Sequence, residues 1–280
     1  AVGLLAGDVD LADAGESLAG DGTLAHYSWE DEVVRVKGTE ITPAVEVTLV
    51  HELTHVLQDQ HFDLSRLGDP DFERPEQLRA MAEGDAQRIQ WIYVDDELSD
   101  REWEEMLADA EGDEAAAEEA LADVPETLVT LTAAPYRLGA GFLRYIEAVD
   151  GEHAIDEVLI DPPTEEEMLD PRLWLEGTEP REVELEVPRG VEQLSEVEPF
   201  GPLSLYLMLA SRGDPVRALA TVDGWAADAY VAYRDGETVC ASIGVLGDSV
   251  DAATAIEWSF QAWAAWSPAG TATISRSGDR

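Results

Sequence analysis

Within HELTHVLQDQH, the run from His51 to His61, two of the chain's five histidines stand four residues apart with a glutamate between them. Four residues turn a helix through about 400°, so His51 and His55 project from one face, one turn apart. The surrounding residues predict that helix. Thr42 is a good N-cap, Pro43 suits the first helical position, and Val45, Leu49, Leu53, Val56 and Leu57 recur at helical spacing. Two imidazoles so placed meet the demand of a tetrahedral Zn²⁺ for neighbouring ligands. Glu52, beside them, could take a proton from water acidified by the metal and later pass it to a leaving amine. A solvated helix with incidental histidines is the plain alternative, but the flanks are apolar and a strand precedes, as a buried active-site helix requires.

The third ligand is a choice among nearby residues. His61 is ten positions after His51, a spacing that serves a metal when a glycine bends the chain between them. That position here is Gln58, which enters the left-handed conformation far less readily than glycine. On a continuing helix His61 lies ~9 Å along the axis from His55 and ~240° around it, out of reach of the metal. The better donor is in AMAEGDAQ. Glu83 is the expected ligand, Gly84 after it would let two helices approach closely, and Asp85 would accept from a metal-bound histidine N–H. The swapped assignment, Asp85 as ligand, stays open, because on a regular helix Asp85 falls within the apolar face and Glu83 to one side. Asp59, four residues beyond His55, is either a partner of that ring or an exposed acid, and Asp63 reads as a turn or cap residue.

Composition sets wider limits. The chain of 280 residues carries 61 acids against 17 bases, a formal charge of -44, and Lys37 is its one lysine. Nucleic acid and anionic membrane surfaces would repel such a chain. An acidic, lysine-poor surface suits concentrated salt, where repulsion between carboxylates is screened within a few ångström; an acidic secreted protein from a GC-rich genome is the other reading. Cys240 is single, so no intrachain disulfide forms, and no apolar run is long enough to span a bilayer. The start at Ala1 is expected to reflect a trimmed or partial chain whose signal or anchor has been lost. At low salt, basic or neutral peptides should approach faster than acidic ones.

Along the chain, residues 1–25 read as loop with one short helix, and Tyr27, Trp29, Val33, Val34 and Val36 as one or two short strands closed at Lys37-Gly38. A helix is predicted over PEQLRAMAEGDAQRIQWIYV with Leu78, Met81, Ala82, Ile89, Ile92 and Tyr93 on one face. Residues 95–123, rich in Asp, Glu and Ala, read as solvated helix, an insertion or lid. A helix from Arg137 to Val149, an irregular stretch 161–188, a helix near Pro202–Arg212, a hairpin turning at Asp235-Gly236 and a closing helix Val250–Trp266 complete the expectation. The fold class is α+β, with one domain over 1–280: a metal-binding core at 26–94, the acidic insertion, and a remainder at 124–280 that closes the cleft.

At His51, Glu52, His55, Glu83 and Gly84 the sequence resembles the gluzincin type of zinc metallopeptidase. More narrowly, HELTHVLQDQHFDL, AEGDA, PYRLGAGF, PPTEEEMLDP and GWAADAY in this order resemble an uncharacterised prokaryotic family of peptidases, often envelope-associated. The resemblance is densest from Tyr27 to Tyr93. It implies a zincin-like fold, a small sheet over the active-site helix, with an extended peptide pairing along an edge strand in residues 31–37. It further implies a protein or peptide substrate, Zn²⁺ as cofactor, and a place outside the cell or at its envelope. Tyr136, His153, Tyr230 and Arg234 are candidate donors to the oxyanion. Trp258, Phe260, Trp263 and Trp266 are expected in the core of the last helix. Peptide hydrolysis with Glu52 as general base is the favoured function; a zincin-fold binding or regulatory protein that keeps zinc without cleaving is the alternative, and a metal-free structural domain a third.

Overall fold

A computed structural model describes residues 24–122, 124–177, 181–266 and 271–277, without the side chains of 110–120, 135 and 136. It is an α+β structure with small antiparallel sheets. The described residues fall into two compact units, one up to Leu175 and one from Glu176 onward. The loop and short helix expected over residues 1–25 lie almost wholly outside the described residues.

The first unit opens with a hairpin of β1 (Ala25–Ser28) and β2 (Val33–Val36), paired from Ala25↔Val36 to Ser28↔Val33. Alternation decides its orientation: Ala25 and Tyr27 are buried while His26 between them is exposed. Helix α1 (Pro43–Phe62) starts where Thr42 caps it, the side chain accepting from the Val45 N–H at 3.4 Å. It ends at Asp63, whose left-handed φ of 59° stops it. The helix therefore runs straight past Gln58, and the bend that would bring His61 back toward the histidine pair does not form.

One expectation for α1 is overturned. Leu53 and Leu57 are 52% and 57% exposed, whereas Ala44, Val45, Val47, Glu52, Thr54 and Gln58 are buried. Leu53 lies ~200° around the axis from His51. Helix α1 thus buries its histidine side, with its polar groups satisfied from within, and shows Leu53 and Leu57 to solvent.

Helix α2 (Pro75–Glu97) and helix α4 (Glu126–Asp150) form the main core. Leu78, Met81, Phe142, Leu143 and Ile146 are at most 1% exposed, and α5 (His153–Ile160) adds Ile155, Val158 and Leu159. Burying each such large side chain is worth about 1.5–3 kcal/mol. Two glycines let α2 and α4 touch backbone to backbone. A Cβ on Gly139 would stand 1.8 Å from the Ala80 carbonyl oxygen, and one on Gly84 2.6 Å from the Gly139 carbonyl carbon. The close approach that Gly84 permits is thus with α4, not with the histidine helix. Helix α4 also begins eleven residues earlier than its sequence pattern suggests, and Gly151, at φ 93°, follows its last turn.

The acidic segment forms one helix, α3 (Asp100–Leu121), and it is not wholly solvated: Met106 is buried with Ala44, Val47 and Val94, and Trp103 packs against them. The stretch expected to be irregular holds two short helices, α6 (Glu165–Leu169) and α7 (Pro171–Glu176). Thr164 and Glu167 begin α6 with a reciprocal capping box.

The second unit is a three-stranded antiparallel sheet ordered β3 (Glu192–Gln193), β4 (Trp225–Asp235), β5 (Thr238–Gly247). The β4–β5 hairpin turns at Asp235-Gly236 as its sequence predicts, with Gly236 at φ 61°. Helices α8 (Pro202–Ala210), α9 (Pro215–Val222) and α10 (Val250–Ala265) complete the unit. Leu205, Met208, Leu209, Ala218, Val222 and Trp225 form its core, with Phe260 and Trp263 packed on it. Trp258 and Trp266 are instead 61% and 77% exposed, so half of the expected aromatic core faces solvent. No helix among the described residues is long and apolar enough to cross a membrane.

Candidate metal centre

Helices α1 and α2 bring three ligand atoms to one point. His51 Nε2 lies 3.2 Å and His55 Nε2 3.5 Å from the same oxygen, Glu83 Oε2, and the two nitrogens are 3.1 Å apart. The rings meet edge to face at 85°, which aims both Nε2 atoms inward. His51, His55 and Glu83 form the one His, Cys, Asp or Glu cluster among the described residues that could hold a metal ion. Their side chains keep 16%, 12% and 15% of their exposure, enough for water to reach them.

The donor set fits a zinc ion. Ligands at zinc–nitrogen or zinc–oxygen distances of about 2.0–2.2 Å and tetrahedral angles stand ~3.3–3.6 Å from one another. Two imidazole nitrogens facing each other beside a carboxylate also need a cation, or a proton, among them. Burial works against charging His55, yet the adjacent Glu83 carboxylate holds its affinity for a proton above the ordinary histidine value. For Glu83, burial works against ionisation, but hydrogen bonds and charge from His51 and His55 prevail and bring it down to about 2.

The other expected residues are placed differently. Asp59 does not touch His55; it accepts from the Tyr27 hydroxyl at 2.6 Å and from the Leu64 N–H at 2.9 Å, joining the hairpin to the end of α1. Burial, then that bond to Asp59, pushes the Tyr27 phenol up to about 12. Asp85 is buried and makes no direct contact with either ring. It accepts from Gln58 Nε2 at 2.9 Å and pairs with Arg88 at 3.0 Å. Arg88 continues to Glu147 on α4 at 3.2 Å. Asp85 is therefore one residue further from the histidine pair than expected, and Glu83 is the acid whose oxygen reaches both rings. His61 is exposed and not part of the cluster.

Glu52 is buried on the same side of α1, where its Oε2 accepts from the Tyr27 backbone N–H at 2.7 Å. The strand bonded to the glutamate is thus β1. Of the oxyanion candidates, Tyr230 donates to Glu198 at 2.6 Å, Arg234 pairs with Glu192 at 3.2 Å, and exposed His153 stands 4.0 Å from Asp150. Each is engaged locally, and the Tyr136 side chain lies outside the described residues.

Sequence reasoning missed three residues. Gln58 Oε1 faces His55 Nδ1 at 2.8 Å, Gln90 Oε1 faces His51 Nδ1 at 3.0 Å, and Tyr27 holds Glu52. Spacing carried a signal for both glutamines: Gln58 is three residues after His55, and Gln90 is seven after Glu83, each on its neighbour's helical face. Nothing local marked Tyr27.

No family model matches the chain, and no curated protein or solved structure matches it.

Proposed function

We propose that this chain is a zinc-dependent peptidase of the gluzincin type, with a zincin-like fold in its first unit. One observation carries the reading: three donor atoms of two histidines and a glutamate converge at 3.1, 3.2 and 3.5 Å from one another. His51, His55 and Glu83 would hold the zinc. Zinc bound there would act as a Lewis acid, lowering the pKa of water and polarising a carbonyl. Glu52 would take the proton from the attacking water and deliver it to the departing amine. An extended peptide lying along the hairpin is the substrate this reading implies, and the family resemblance adds work outside the cell or at its envelope.

The contact that favours the second reading is the Tyr27 N–H bond to Glu52, which engages one carboxylate oxygen within the fold. A protein that holds zinc without cleaving would keep the same ligand cluster. Elemental analysis of wild type and Glu83→Ala, with hydrolysis of an unstructured protein assayed in molar salt, tests both. One zinc per wild-type chain, lost in the variant, with cleavage by wild type, supports the peptidase. Zinc without cleavage of any unstructured protein would shift the conclusion to a zinc-holding binding protein, and absence of zinc would remove both.

A further inference from the structure

We propose that Gln58 is a positioning residue that fixes His55 as a metal ligand, and that Gln90 does the same more weakly for His51, so that neutral amides stand where carboxylates could have been used. The inference rests on the zinc reading above.

A terminal amide is ambiguous by itself, since its oxygen and nitrogen look alike. The neighbours of Gln58 remove the ambiguity. Its Nε2 lies 3.0 Å from the Ala82 carbonyl oxygen, which can only accept, and 2.9 Å from Asp85 Oδ2. Asp85 is itself held as an acceptor by Arg88, whose Nε and Nη2 donate to its Oδ1 at 3.1 and 3.0 Å. A flipped amide would set its oxygen against two other oxygens in a residue only 2% exposed, a buried mismatch of high cost. Gln58 Oε1 therefore faces His55 Nδ1 at 2.8 Å and can only accept there. Nδ1 must carry the hydrogen, and a neutral imidazole has just one. The lone pair is left on Nε2, the atom aimed at His51 and Glu83. A chain of forced roles thus runs from Arg88 through Asp85 and Gln58 to the ligand atom.

Gln90 Oε1 faces His51 Nδ1 at 3.0 Å from a half-buried position, with no such pair of acceptors fixing its other end. The two positions should consequently answer differently to the same chemical change. At position 90 a carboxylate would accept the His51 N–H more strongly and raise the basicity of that ring. At position 58 a carboxylate would place an oxygen against Ala82 and Asp85, lose two donated bonds and unseat His55.

Zinc affinity, measured by competition with a chromophoric chelator, tests this in wild type, Gln58→Ala, Gln58→Glu and Gln90→Glu, with the visible spectrum of the cobalt-loaded protein as a second readout of ligand geometry. Gln58→Ala and Gln58→Glu should weaken zinc binding by about 10- to 100-fold and alter the cobalt spectrum, while Gln90→Glu should tighten binding several-fold. Gln90→Glu keeps the test decisive should both position-58 variants fail to fold. Wild-type affinity and spectrum in every folded variant would overturn the assignment while zinc binding itself stood. A wild type that binds no zinc would overturn the zinc reading and this inference together.

Discussion

The backbone N–H of Tyr27 reaches Glu52 Oε2 at 2.7 Å, so strand β1 fixes the orientation of the acid that helix α1 carries between its two histidines. The bond occupies one oxygen of the carboxylate and leaves the other to exchange a proton. Glutamine at position 52 can accept the same N–H but cannot act as a base. Glu52→Gln should therefore keep its zinc and its fold while peptide hydrolysis falls by about 10²- to 10⁴-fold. Paired zinc analysis and turnover assays check this, and a variant that still cleaves at the wild-type rate would remove Glu52 from the mechanism.

Glu83 and Asp85 are two residues apart and should fail in opposite ways. Asp85→Ala removes the most buried partner of Arg88 and leaves it Glu147 at 3.2 Å and Glu152 at 3.7 Å, so it should cost about 1–3 kcal/mol of stability by urea unfolding. Its zinc should bind more weakly, through Gln58, but still at one per chain. Glu83→Ala should lose the zinc altogether. Zinc lost from the aspartate variant and kept by the glutamate variant would reverse the ligand assignment.

At Gly139 a methyl group would stand 1.8 Å from the Ala80 carbonyl oxygen, three residues before Glu83. Helices α2 and α4 must then separate, at a cost of about 1–3 kcal/mol. Gly139→Ala should accordingly unfold at lower urea and bind zinc more weakly than wild type. Gly141, which meets nothing within 4 Å, supplies the control: Gly141→Ala should be as stable or slightly more so.

Tyr27 gives the chain an alkaline limit. Its phenol has a folded pKa of about 12 against ~10 in the unfolded chain, so the stability it contributes is complete below pH 10 and is lost as pH rises through 12. Chemical unfolding of wild type and Tyr27→Phe between pH 8 and pH 12 checks the sign. Wild type should hold an advantage of about 1 kcal/mol or more at pH 8 that shrinks steadily above pH 10. A constant difference would mean that the Asp59 bond contributes nothing pH-dependent.

A net charge of -44 repels itself, and the range of that repulsion falls from ~10 Å at 0.1 M salt to ~3 Å at 1 M. Thermal unfolding in sodium chloride should move upward by at least ~5 °C from 0.1 to 3 M. Equal midpoints at both concentrations would leave the acidic composition without a role in salt tolerance.

The cluster of His51, His55 and Glu83 was legible in the sequence because it depends on helical geometry, which spacing encodes directly: His51 and His55 share a face of one helix, and Glu83 lies on the next long one. The cap at Thr42 and the turn at Asp235-Gly236 were legible for the same local reason. The buried face of α1 was not. Pattern reading assigns leucines inward, but this helix meets β1 and α2 through Glu52, Gln58 and the histidines, and only the partners' donors and acceptors make such a face favourable to bury. Asp59, left open between two readings, and Asp85, placed one residue too close to the histidines, are settled by Tyr27 and Arg88, 32 residues before one and three after the other. Helix α4 was read short because its first eleven residues, from Glu126, lie outside the pattern around Arg137.

The outward leucines of α1 offer a handle for spectroscopy. Leu53 and Leu57 are one turn apart on the face turned away from His51 and His55, in the same helix as both histidines. Cysteines introduced at those two positions, with Cys240→Ser as background, would take a bifunctional spin label bridging a single turn. Such a label has little motion of its own. Its relaxation in the presence of a paramagnetic divalent ion would then give the distance from the helix axis to the metal centre in solution, without placing a probe on any residue that binds the ion.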